Sequence, residues 1–234
     1  VQELVPAEVV ASMAERMNLT TSIRAVDAIA LGTSEVYPLE ITSAYATYSN
    51  NGVWCKPIGI NRIVDRFGVT IKEYSPRREE VLSEETAYLV TDLLQSVVDN
   101  GTGGSARWKY KFTHPAGGKT GTTQNWTDAW FVGFSPKIAA GVWFGVDDPK
   151  VSLGINQSGS RAALPVWAKF MKAAHDSMGW KHEKFTKPDG ISTQKICTIS
   201  KLLPIRNCPV ENEIFISKYS PSQKCKVHID GSSR

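Results

Sequence analysis

No apolar run in this chain of 234 residues approaches the roughly 18 residues that a membrane-spanning helix requires. The longest, Ile138 to Val146, is interrupted by glycines and bounded by Lys137 and Asp147, so no membrane span is expected. Lys and Arg never gather into long runs and the formal net charge is only +4, which leaves a nucleic-acid groove without electrostatic support. The histidines His114, His175, His182 and His228 show no His-Glu-x-x-His spacing and read as surface or packing residues. The opening Val1-Gln2-Glu3-Leu4 has no basic region followed by an apolar one, so no signal peptide is expected there. Cysteine is scarce as well. Of four in the chain, Cys197, Cys208 and Cys225 crowd into a polar, loop-rich tail, and a segment of that composition calls for a cross-link.

What is present is ordinary globular protein: 41% hydrophobic residues, 21% charged residues and seven Trp, with length enough for one large or two modest domains. Pro6 opens a helical pattern through Val9, Met13 and Met17, and Pro38 opens a second through Ile41, Ala44, Tyr45 and Tyr48, stopped by Asn51-Gly52. The β-branched runs Ile58–Val64 and Val69–Ile71 flank a turn and predict a hairpin. Ser83 is a good N-cap for a helix striped by Leu89, Leu93 and Val97 that ends at Asn100-Gly101. Three strands are expected over Gly118–Thr123, Ala129–Phe134 and Ile138–Val146, the last two joined antiparallel by the turn Ser135-Pro136-Lys137. Ser160 is expected to cap a helix carrying Leu164, Trp167, Phe170 and Met171 that ends at Gly179. Helices packed on an antiparallel sheet define an α+β architecture. From residue 180 onward periodicity disappears and Lys and Arg are in excess.

The stretch His114-Pro115-Ala116-Gly117-Gly118-Lys119-Thr120-Gly121-Thr122-Thr123 carries the strongest chemical signal. Lys119 offers a compact positive charge, Thr120 and Thr122 offer hydroxyls for a carboxylate, and Gly121 lets a substrate approach the backbone. Alone, such a triplet reads more readily as an edge strand with a solvated lysine. The loop Gly101-Thr102-Gly103-Gly104-Ser105 follows a helix and lacks the Gly-Lys-Ser/Thr ending of a phosphate cradle, so it reads as a flexible connector. Asp147-Asp148-Pro149 has the composition of a turn, and Trp126 and Trp130 flank the Lys119 strand as cleft or core residues.

The text Val97-Val98-Asp99-Asn100-Gly101-Thr102-Gly103, then Gly118-Lys119-Thr120-Gly121-Thr122-Thr123, then Asp128-Ala129-Trp130-Phe131-Val132-Gly133-Phe134-Ser135-Pro136 closely resembles the transpeptidase domain of bifunctional (class A) penicillin-binding proteins. Ala30-Leu31-Gly32-Thr33-Ser34-Glu35-Val36, Pro38-Leu39-Glu40 and Ala44-Tyr45-Ala46-Thr47-Tyr48 are similar to the same family in the same order, so the likeness runs from about residue 5 to about residue 175. It implies a penicillin-binding, serine β-lactamase-like fold in which residues 1–179 form the C-terminal portion of a transpeptidase domain and 180–234 a loop-rich, Cys-containing tail.

The family uses three motifs: Ser-x-x-Lys with the acylated serine, Ser-x-Asn, and Lys-Thr-Gly. Ser192-Thr193-Gln194-Lys195 and Ser49-Asn50-Asn51 spell the first two but stand in the wrong context, the former after the Lys-Thr-Gly strand and the latter at a helix end. The resemblance therefore places the nucleophile and middle motif upstream of Val1, in a remainder of the same protein that also holds a membrane anchor and a glycosyltransferase domain. It implies D,D-transpeptidase chemistry on peptidoglycan stem peptides ending in D-Ala-D-Ala, inhibition by β-lactams, an extracytoplasmic location and no metal or organic cofactor. Lys119, Thr120, Gly121 and Thr122 would bind the substrate carboxylate, with the Thr122 amide in the oxyanion hole. Alternatives are a β-lactamase or D,D-carboxypeptidase relative, and a non-catalytic module binding stem peptides or a divisome partner. For the tail, a zinc site of three Cys and His228 stands open. Action outside the cytoplasm favours a Cys197–Cys208 disulfide, with a left-over cysteine paired to Cys55.

Overall fold

Two prolines set the first helices. In the computed structural model, which describes residues 4–148 and 150–228, α1 (Ala7–Arg16) follows Pro6 and α2 (Pro38–Ser49) begins on Pro38, where a missing N–H costs nothing. Met17, Leu19, Ala44, Trp54 and Val81 form a small core beside them. Trp54 lies on β1 (Val53–Cys55). The exposed hairpin of β2 (Arg62–Val64) and β3 (Thr70–Glu73) follows, and β4 (Arg78–Glu80) returns to pair antiparallel with β1. In the hairpin turn the Asp65 carboxylate accepts the amides of Phe67 and Val69 at 2.8 and 2.9 Å, a local bond that lets a short polar side chain stand in for backbone.

α3 (Glu84–Asp99) starts at Ser83, whose hydroxyl accepts the Thr86 amide at 3.3 Å, as its sequence predicts. The loop beyond it differs from the expectation of a flexible connector. Gly103 is buried and donates its amide to Val97 O at 2.9 Å, and a Cβ there would press on that carbonyl and on the Val98 backbone. A single turn, α4 (Ser105–Trp108), then leads to the sheet.

That sheet has three antiparallel strands in the order β5 (Gly117–Thr122), β6 (Asp128–Phe134) and β7 (Ala139–Gly145). Ser135 closes the β6–β7 turn: its amide donates to Ile138 O at 2.9 Å, and its hydroxyl accepts the amides of Lys137 and Ile138 at 3.2 and 3.3 Å. The register pairs Lys119 with Val132 and Gly121 with Trp130, so these residues share one face; Thr120, Thr122 and Phe131 share the other. α2 covers the first face, coming so close that a Cβ on Gly141 would run into the Thr42 hydroxyl.

The second face is covered by α5 (Ala163–Met178), which ends at Gly179 in the left-handed conformation (φ 62°). Its Trp167 is fully buried, 4.7 Å from the Phe131 ring centroid and 5.6 Å from that of Phe112. The indole N–H donates to Ala140 O at 3.1 Å, so the largest side chain of the core is also polar-satisfied. Ser160 is not the cap expected from sequence. Ala162 occupies that position without a side-chain bond, and the Ser160 hydroxyl pairs with that of Ser158 at 2.9 Å.

Beyond α5 the structure corrects the expectation of a wholly loop-rich tail. β8 (Ile191–Cys197) and β9 (Val210–Ile216) form a seven-residue antiparallel hairpin. A Cβ on Gly190, at its base, would crowd Glu85 in the first turn of α3. Ahead of it, His182 stacks on His114 (5.2 Å between centroids), which lies 4.4 Å from His175, itself buried at 2% exposure.

Two outcomes follow. Trp167→Ala should cost about 3–5 kcal/mol of stability, while Lys169→Ala on the exposed side of the same helix should stay within about 0.5 kcal/mol; denaturant titration of both variants measures this. Burial, reinforced by His175 and His182, holds the His114 imidazole below the usual histidine range. Below about pH 6.5 the unfolded chain then binds more protons than the folded one, so this group lowers stability as the pH falls through that window. Melting temperatures taken between about pH 7.5 and 5 should fall less steeply in His114→Gln than in wild type.

Candidate functional site

β5 is an edge strand of its sheet, and the direction of its amides follows from one bond. Thr123 donates its amide to Asp128 O at 3.2 Å, across the β5–β6 pair. Amides alternate sides along a strand, so those of Lys119 and Gly121 turn toward β6, while those of Thr120 and Thr122 face the open edge. The Thr120 carbonyl faces the same way and accepts the Lys119 ammonium at 2.9 Å. Lys119 is exposed, and Thr120 and Gly121 are half-buried. The edge thus presents one cation, two amides and two hydroxyls along four residues, an arrangement suited to an extended chain that ends in a carboxylate.

Two loops set the hydroxyls. Thr102, between glycines after α3, shares a 2.9 Å hydrogen bond with the Thr120 hydroxyl. Gly159, in the segment before α5, donates its amide to the Thr122 hydroxyl at 3.0 Å. A Thr122 hydroxyl that accepts from Gly159 keeps its own proton to donate. Gly159 is buried, its carbonyl accepts the first amides of α5, from Ala163 and Leu164, and a Cβ would strike the carbonyls of Trp130 and Gly121. Neither Thr102 nor Gly159 stands out in the sequence; the one available signal was a hydroxyl flanked by glycines in a segment read as a connector.

The other spelled motifs fall away on geometry. Ser192 and Lys195 lie three apart on β8, and residues at that spacing point to opposite faces of a strand, whereas Ser-x-x-Lys needs the shared face of a helix. The Ser192 hydroxyl is bonded to that of Ser220 at 2.8 Å. Ser49 ends α2, donates to Ala46 O at 3.0 Å, and lines a depression with Asn51 and Pro136. Pro136 belongs to the β6–β7 turn next to Phe134, which pairs with Gly117; Thr122 is at the opposite end of the strand. The Trp130 ring lies tilted beside that of Trp143 (5.9 Å between centroids) on the Lys119 face. Asp148 makes turn bonds to the Lys150 and Val151 amides; Pro149 lies outside the described residues.

The cysteines also differ from expectation. Each of the four is a free thiol, so the structure contains neither a Cys197–Cys208 disulfide nor a bridge to Cys55. Cys55 sits on β1 near the Asn50 amide, 3.5 Å from its sulfur. Cys197, Cys208 and Cys225 instead converge with His228, whose ligand atoms all lie within 4.8 Å of one another. His228 is therefore neither a surface nor a packing histidine, and the expectation of no metal site meets a cluster of metal-ligating side chains.

Comparison with known proteins identifies the family. Residues 14–172 match the penicillin binding protein transpeptidase domain, and residues 187–230 match the C-terminal domain of penicillin-binding protein 1A. The chain belongs to the penicillin-binding protein transpeptidase family. Among curated relatives, penicillin-binding protein 1A of Aquifex aeolicus is 40% identical over 197 residues, covering 84% of this chain and 26% of that protein; the chain spans about a quarter of its length. Penicillin-binding protein 1A of Haemophilus influenzae superposes with a TM-score of 0.87 at 24% identity, covering 96% of this chain and 38% of that one. The PonA1 protein of Mycobacterium tuberculosis, solved in complex with penicillin V, superposes with a TM-score of 0.66 at 24% identity over 78% of this chain and 53% of its own. At those identities the structures show the shared fold. No described helix is long and apolar enough to cross a membrane.

Gly159→Ala tests whether the loop before α5 holds the Thr122 end of the strand. Its Cβ would meet backbone that cannot yield like a side chain, so a loss of about 1–3 kcal/mol is expected. Gly59→Ala, where a Cβ meets nothing within 4 Å, should be close to neutral. Thermal melts of the two variants give the comparison.

Proposed function

We propose that this chain supplies the substrate-binding strand of a serine D,D-transpeptidase that cross-links peptidoglycan stem peptides outside the cytoplasm. The observation that carries this reading is the open edge of β5, where the Thr122 amide faces outward beside Lys119 and the Thr120 and Thr122 hydroxyls. On this reading a serine that is not among these residues attacks the carbonyl of the penultimate D-alanine. Its Oγ forms an ester, and the peptide bond to the terminal D-alanine breaks, that residue leaving as the amine. The amino group of a second stem then attacks the ester, forms the cross-link and returns the serine.

The roles on β5 follow from charge and direction. Lys119 and the two hydroxyls hold the terminal carboxylate, drawing the stem into line as an added strand. The outward Thr122 amide donates to the oxygen that becomes negative in the tetrahedral intermediate, where a fixed dipole needs no reorganisation. A β-lactam offers a strained amide and a carboxylate in similar relation and acylates the same serine. The division at residue 179, between transpeptidase portion and tail, belongs to the same proposal.

In the full-length protein, Lys119→Ala removes a charge-assisted hydrogen bond worth roughly 1.5–3 kcal/mol, so acylation by a chromogenic cephalosporin should slow by about one to two orders of magnitude. Thr122→Ala should do less, because it leaves the backbone amide in place. Stopped-flow acylation of both variants, with folding verified by melting, decides the order; a folded Lys119→Ala enzyme that acylates at the wild-type rate removes β5 from the site.

A further inference from the structure

We propose that Cys197, Cys208, Cys225 and His228 form a structural zinc site that holds the C-terminal segment together, independently of the transpeptidase reading. The geometry points to it directly. His228 Nδ1 lies 3.6 Å from Cys197 Sγ, 3.4 Å from Cys208 Sγ and 3.3 Å from Cys225 Sγ. Cys197 Sγ and Cys225 Sγ are 3.8 Å apart. With Zn–S of about 2.3 Å and Zn–N of about 2.05 Å at tetrahedral angles, the edges of the coordination tetrahedron are about 3.8 Å for sulfur to sulfur and about 3.5 Å for sulfur to nitrogen. These four separations match those edges closely, and the two sulfur pairs involving Cys208 lie within 4.8 Å. A disulfide would instead bring one sulfur pair to about 2.05 Å and turn it away from the others.

The surroundings are those of a closed site. Cys197 and Cys225 are buried and Cys208 and His228 half-buried. The amide of Ile205 donates to Cys208 Sγ at 3.3 Å and that of Val227 to Cys225 Sγ at 3.4 Å, bonds that orient thiolates and spread their charge. Three thiolates and a neutral imidazole coordinating through Nδ1 form a donor set for a soft, tetrahedral divalent ion and a poor one for Mg2+ or Ca2+. All four positions are filled by protein, so no site is left for a substrate or an activated water and the role is structural. Binding displaces the protons of the three thiols; nothing is oxidised or reduced.

The test uses the full-length protein purified without reductant or added metal. Elemental analysis should find about one zinc per chain, released by a thiol-modifying mercurial in step with three reactive thiols. Replacement by Co2+ should give the sulfur-to-cobalt charge-transfer absorption and intense visible bands of a tetrahedral thiolate site. Cys225→Ser should lower zinc affinity at least about tenfold, and His228→Cys should retain the metal because it keeps four soft ligands. If Cys225→Ser does not fold, the wild-type metal and thiol counts still decide. A protein without zinc whose peptide map shows any two of Cys197, Cys208 and Cys225 joined as a disulfide overturns the proposal. So does zinc content unchanged in a folded Cys225→Ser variant, which would place the ion elsewhere.

Discussion

The helices pack closely on the central sheet at strand positions that carry no side chain, and the shape of the site depends on that close approach. A Cβ on Gly133 would lie 2.8 Å from both the Gly117 carbonyl and the Trp167 ring, and one on Gly118 would lie 2.8 Å from Phe131. Gly117 likewise leaves room for Leu94 of α3. Glycine in a strand normally weakens it, through entropy and lost packing. Here the loss is offset because Trp167, Phe131 and Phe112 fill the vacated space and are each fully buried. Apolar burial on that scale stabilises by several kcal/mol per side chain.

This packing lets β5 be both open and rigid. An exposed edge strand invites indiscriminate pairing, and proteins commonly blunt such edges with charge. Lys119 does this, and its side chain satisfies the outward carbonyl of Thr120. The strand does not depend on a neighbour on that side for its position. One face is fixed by Phe131 and Trp167, and its C-terminal half is tied by Thr102 at Thr120 and by Gly159 at Thr122. A partner strand arriving at the edge thus meets amides already aimed, and little ordering entropy remains to be lost on binding.

Much of this was legible in the sequence because it rests on local rules. Ser83 reads as a cap, Pro38 as a helix start and Ser135-Pro136-Lys137 as a turn, since each signal lies within a few residues of its effect. Failures came where tertiary contacts decide. Ser160 has the composition of a cap, but the Gly159 carbonyl accepts the first α5 amides and leaves that hydroxyl to Ser158. The loop from Gly101 to Ser105 looks flexible because its glycines are free in isolation; in the fold Gly101 and Gly103 are what lets it fold tightly back on the Val97–Val98 backbone of α3. The strand Ile191–Cys197 is polar through its middle, Ser192-Thr193-Gln194-Lys195, so no period-2 alternation announced it.

The sequence leaves the cysteine cluster open between zinc and a disulfide for a related reason: its spacing in sequence carries almost no information about its spacing in space. The gaps between Cys197, Cys208 and Cys225 are unlike those of a compact zinc ribbon. Two backbone pairings account for the convergence. The β8–β9 register sets Cys197 opposite Val210, bringing the preceding Cys208 beside it, and a parallel bridge of Leu203 to Lys224, with Cys225 donating its amide to Leu203 O at 2.8 Å, carries the third sulfur in. His228 then needs only the short Cys-x-x-His step to complete the set. The chain beyond α5 has little apolar interior of its own, chiefly Ile191 and Ile196 besides the cysteines, and a segment that small gains most from a tie joining distant parts of its chain. The transpeptidase portion is held by aromatic burial against glycine-bearing strands, and the tail by convergence of polarizable ligands. The two regions should therefore respond to different perturbations: core truncation for the first, removal of a metal ligand for the second.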